Sequence, residues 1–349
     1  MRVQKILFMP YHVRYLLLPF IIAGCLLTPA SYLAYAHTFS TSESAEFLSL
    51  VDQIRAETVL ITMNLENNNA TLAQAHAQKA SSLLDDSTLD EIWEVNTRIA
   101  DSLETGLEHL EQNVTSLASG MQGQQQVPQD RIQIINDTAT SLNDILAESV
   151  TVRVESDQLN NATTWAMVLA DLTNVVLSNY GNATGAGFDL TDMANLAEVE
   201  EDPSTATEGV NNNTTQVNMT ASNATTNTMI VDEAAYQTAQ YLANNTLLQL
   251  FNDMLKPLTS TSASANDTAG RGTVQQQLDN DTLSTSNNNA TAGIEGLETS
   301  LLQLREYVNS KASPREIMTI PHLQIHPMLM QLYDLTLEDE EELEEDHLG

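Results

Sequence analysis

Met318, His322, His326 and Met330 recur every four residues within SPREIMTIPHLQIHPMLMQLYDL, the stretch from Ser313 to Leu335. On a helix that spacing stacks them along one stripe. Two imidazoles at i and i+4 can hold one metal ion, and flanking thioethers favour a soft one, so the stripe is a candidate site for one copper or zinc ion. The competing reading is a packed helix face, with methionines filling gaps and histidines capping carbonyls freed by neighbouring prolines. His76 is a further candidate ligand if the helix bearing it packs against the last one. His109 falls off the apolar seam of its own helix and reads as solvated.

The helix that positions this stripe has a clear start. Ser313 and Glu316 have capping-box spacing, with Pro314 at the first helical position. Pro321 and Pro327 are expected to kink it and to free the carbonyls of Ile317 and Leu323. Before it, Ile294, Leu297, Leu301, Leu304 and Val308 alternate three and four apart, the cleanest amphipathic pattern in the chain.

Further upstream the same period recurs. A first helix over about 42–66 follows a Ser40/Glu43 capping box, and a second over 72–84 puts Leu72, Ala75, His76, Ala80 and Leu83 inward. A Thr88/Glu91 box opens a coiled-coil-like third helix on Ile92, Val95, Ile99, Leu103, Leu110, Val114 and Leu117, with Gly106 as its weak point. A fourth covers 131–150, with Val150 to Val154 as a candidate extended piece, and a fifth covers 158–180, capped by Gly181. A sixth runs from Asp232 to its stop at Pro257.

The fold expected is all-α: an up-and-down bundle of seven to eight helices. Residues 37–181, 231–257 and 293–336 build it, and two low-complexity stretches, 182–230 and 258–292, are expected as disordered linkers. Residues 337–349 form an acidic tail, in which Glu338 to Asp346 has one non-acidic residue, Leu343.

Composition narrows the function. Residues 1–36 read as an export signal, with Arg2, Lys5 and Arg14 ahead of an apolar run and a cleavage site at Ala34-Tyr35-Ala36. Two alternatives stay open: a retained anchor over 16–36, which would tether an extracellular sensor bundle to the membrane, and a lipid on Cys25. Cleavage would shift the formal charge from −34 to −37 and leave Lys79, Lys256 and Lys311 as the only lysines, which excludes a nucleic-acid partner. It would also leave no cysteine, and so no disulfide or thiolate site.

Thirteen asparagines begin an Asn-x-Thr acceptor triplet: Asn69, Asn113, Asn136, Asn161, Asn182, Asn212, Asn213, Asn218, Asn223, Asn244, Asn266, Asn280 and Asn289. That pattern predicts a heavily N-glycosylated surface on a secreted protein, or on one displayed at the outer face of the membrane. No nucleophile elbow, phosphate loop, His-Glu-x-x-His or dinucleotide fingerprint occurs, and the acidic runs lack EF-hand spacing. The expectation is therefore a non-catalytic binding or scaffold role, with cell-surface proteins or metal ions as partners.

Two phrases carry a resemblance, LVDQIRAETVLITMNLENNNATLAQAHAQKA and ASPREIMTIPHLQIHP. In these the chain resembles secreted helical proteins of ammonia-oxidising archaea, which implies an extracellular setting within a copper-dependent metabolism and implies no mechanism. It is also loosely similar to imelysin-like proteins and to the extracytoplasmic helical domains of iron permeases, although their His-x-x-Glu metal pair does not occur here.

Overall fold

A computed structural model of the chain describes residues 40–121, 126–186, 228–259 and 280–333. The expected leader with Cys25, the acceptors Asn212, Asn213, Asn218, Asn223 and Asn266, and the acidic tail lie outside the described residues. What is described is all-α, with eight helices and no strand. They are α1 (Thr41–Glu66), α2 (Ala70–Leu83), α3 (Asp86–Gly120), α4 (Gln129–Arg153), α5 (Ala162–Thr184), α6 (233–259), α7 (Asn280–Asn309) and α8 (314–333).

The packing closes two rings. α1 packs on α2, α2 on α3, α3 on α4 and α4 back on α1. In the same way α5 packs on α6, α6 on α7, α7 on α8 and α8 back on α5. Each ring thus joins chain neighbours, the connectivity of an up-and-down four-helix bundle. They meet where α1 lies against α5 and α6. Helices at such a seam are wrapped on most sides, which explains why α1 buries residues around its circumference, from Phe47, Val51 and Ile54 to Ala56, Leu60 and Leu65. α5 does the same, with Trp165, Val168, Leu172, Val176 and Tyr180 all in the core.

Several boundaries differ from those expected, each for a local reason. The cap of α3 is Asp85, whose carboxylate accepts from Thr88 N at 2.8 Å, so Thr88 lies inside the first turn rather than before it. Inside α3 the weak point is Asn96 rather than Gly106. Asn96 is non-helical (φ −155°, ψ 92°), and its side chain accepts from Ile99 N, restarting the helix. The break turns Val95 outward to 49% exposure, off the seam on which it was placed. α4 continues as helix through Val150 to Arg153, and of the candidate extended piece only its last residue, the C-cap Val154, is extended (φ −111°, ψ 124°). α5 begins at Ala162, after a 3₁₀ turn over Gln158–Asn160, and runs through Gly181 to Gly185, which takes the left-handed φ of 66°. α7 starts at Asn280, inside the stretch expected as linker; once its packed half exists, adding residues to a helix is far easier than nucleating one.

The prolines do not stop or break their helices. α6 contains π turns at Leu242–Thr246 and Phe251–Leu255 and stays helical through Pro257 to residue 259. α8 is α-helical over Pro314–Ile320, π over Pro321–Ile325 and α again over His326–Tyr333. Pro257 and Pro327 each follow the end of a π turn by two residues. A proline lacks the N–H for the carbonyl four residues back and its ring crowds that carbonyl; the wider turn relieves both.

Candidate functional site

The Ser313/Glu316 capping box is present and starts α8 as the spacing predicts. It fixes the rotation of a helix whose Ile317, Ile320, Ile325 and Leu329 are fully buried. Met318, His322, His326 and Met330 then fall at the margin of that face, all half-buried. The π turn closes its ring over five residues rather than four, and this brings His322 and His326 together edge to face, with ring centroids 5.4 Å apart.

Both Nε2 atoms are buried and make no hydrogen bond within the protein. Burial pushes the His322 imidazole below its ordinary pKa. His326 is pushed down to about 4 by burial and then by the neighbouring His322, against the pull of the Ala170 carbonyl on α5. Both rings are therefore neutral at pH 7, the form that ligates metal. Among the described residues no three His, Cys, Asp or Glu side chains gather as a metal cluster; Met318 and Met330 lie four residues to either side of the pair in the sequence.

His76 is not part of this pair. It is fully buried on α2, with Nδ1 2.6 Å from Glu57 Oε2 and Nε2 3.1 Å from Gln237 Oε1, so both ring nitrogens are engaged. This network lies at the seam between the rings. Glu57 Oε1 accepts from Thr238 Oγ1 at 2.8 Å and faces Lys79 Nζ at 3.2 Å, while Lys79 also donates to Asn179. Asn64 donates to Gln237 at 2.8 Å. One carboxylate, 1% exposed, thereby joins α1, α2 and α6, and Lys79 extends the network to α5. Burial alone raises the Glu57 carboxyl, but the His76 hydrogen bond, the Lys79 ammonium and the Thr238 hydroxyl outweigh it, and the group sits below its ordinary value.

Of this network the sequence singled out His76, but not Glu57, Gln237 or Thr238. The signal was present as a charged residue three after Ile54 and four before Ile61, on an otherwise apolar stripe. His109 is exposed, as its offset from the seam predicts.

The described acceptor asparagines are distributed around the surface. Asn182 is exposed, and Asn69, Asn113, Asn136, Asn161 and Asn244 are half-buried. Asn69 and Asn161 are also the N-caps of α2 and α5. Asn280 and Asn289 lie in the first half of α7. No described helix is long and apolar enough to cross a membrane. Compared with known protein families, with curated proteins and with solved structures, the chain matches none.

Proposed function

We propose that the chain is an exported, acidic, N-glycosylated helical bundle with a non-catalytic binding or scaffold role at the cell exterior. One observation carries this reading. None of the six acceptor asparagines with described side chains is buried, whereas the two asparagines buried among the described residues, Asn64 and Asn179, begin no acceptor triplet. A glycan can be attached to the first set without disturbing the core.

The ends of the long acceptor-bearing segment over 187–227 support the same role. Val231 N donates to the Ala183 carbonyl at 2.7 Å, and Thr228 N to that of Lys311 at 3.3 Å. The described residues that border it, Ala183 and Val231, are therefore held side by side. The test is mass spectrometry of the protein from the cells that make it. Glycan-bearing peptides at Asn69, Asn113, Asn136, Asn182 and Asn244, and a mature start at His37, are the expected result. Unmodified asparagines on a chain beginning at Met1 would overturn the proposal.

A further inference from the structure

Among the described residues, the buried side-chain atoms without a hydrogen-bond partner include two neighbouring imidazole nitrogens, those of His322 and His326. A buried polar atom with no hydrogen bond costs about 1–3 kcal/mol, and such groups in a native fold call for an occupant. Here two occur one turn apart on rings that meet edge to face. His322 sits in a π turn and His326 directly follows it, and α-helices adopt such turns at functional sites more often than elsewhere.

The donor set narrows that occupant. Zn²⁺ takes four ligands in structural sites and three plus water in catalytic ones, commonly with thiolate or carboxylate among them. The pair offers two neutral imidazoles, with Met318 and Met330 one turn to either side along half-buried positions. A soft monovalent cation suits few, neutral, nitrogen and thioether donors, and it brings less charge into a face formed by Ile325 and Leu329.

We propose that His322 and His326 ligate one Cu(I) ion through their Nε2 atoms, with a thioether of Met318 or Met330 as third donor. Coordination requires no bond to break and no electron transfer.

The full mature chain should be titrated with Cu(I), kept reduced by ascorbate, against a chromophoric Cu(I) chelator, with Zn(II) and Cu(II) run in parallel. The expected result is one Cu(I) per chain that Zn(II) does not displace. Met318→Leu with Met330→Leu should weaken binding about tenfold, the equivalent of about 1.4 kcal/mol. His322→Leu with His326→Leu should abolish binding, yet melt no lower than the metal-free parent, because it removes two unsatisfied nitrogens. Equal Cu(I) binding by the double leucine variant, absence of binding by the parent, or Zn(II) displacing Cu(I) would each overturn the assignment.

Discussion

Glu57 shows how one side chain can tie a seam together and also make it sensitive to acid. Because its carboxyl is held below the ordinary value of 4.5, the unfolded chain takes up the proton first. Its contribution to stability is therefore complete above that value and is lost as pH falls through the lower, folded one. Melting temperatures measured from pH 7 to pH 3 should fall on the acid limb, and Glu57→Gln should flatten that limb. Glu57→Leu is the harsher change, since it leaves His76, Lys79 and Thr238 without their acceptor. A loss of about 3–5 kcal/mol in chemical denaturation is expected, the cost of breaking a buried pair by removing one partner. A loss under 1 kcal/mol would mean that the network is incidental to the junction of the rings.

At the level of elements, a second outcome follows from the break in α3. Asn96 works as an interior N-cap, its Oδ1 accepting from Ile99 N at 3.3 Å. Asn96→Ala should cost about 0.5–2 kcal/mol, and Asn96→Ser or Asn96→Asp should recover most of it, read from denaturation midpoints. If alanine is neutral, the break is set by packing and not by the cap. The same element marks the limit of what the sequence makes legible. Caps at Ser40 and Ser313 are local chemistry and were readable, as were the stripes that place Leu297, Leu301, Leu304 and Val308 in the core. Asp85 and Thr88 both satisfy a cap rule three residues apart, and Gly181 and Gly185 both satisfy a terminator rule. Tertiary contacts decide between them, because Gly181 is buried and Gly185 is exposed. Pro257 and Pro327 carried a strong local signal for a break, and packed neighbours on both sides supported a π turn instead. For the candidate site, spacing made His322 and His326 visible as a pair. Their unpartnered nitrogens depend on what α5 presents to them, which periodicity in α8 does not encode.

Across the whole molecule, two four-helix rings must stay joined while 47 acidic residues oppose 13 basic ones, a formal charge of −34. Such an excess repels itself and favours the expanded chain. Salt acts on two terms of opposite sign. It screens this repulsion, with a Debye length of about 30 Å at 0.01 M and about 8 Å at 0.15 M, and it also weakens surface pairs such as Arg98 with Glu148 and Lys256 with Glu298. Exposed pairs of that kind contribute about 0–1 kcal/mol each. The buried partners of Glu57 are screened far less, so the repulsive term dominates the salt response. The melting temperature should therefore rise steadily from 10 mM to 500 mM NaCl at pH 7, and Arg98→Ala should leave that slope nearly unchanged. A melting temperature that falls with salt would show that surface ion pairs, and not the net repulsion, dominate the salt response.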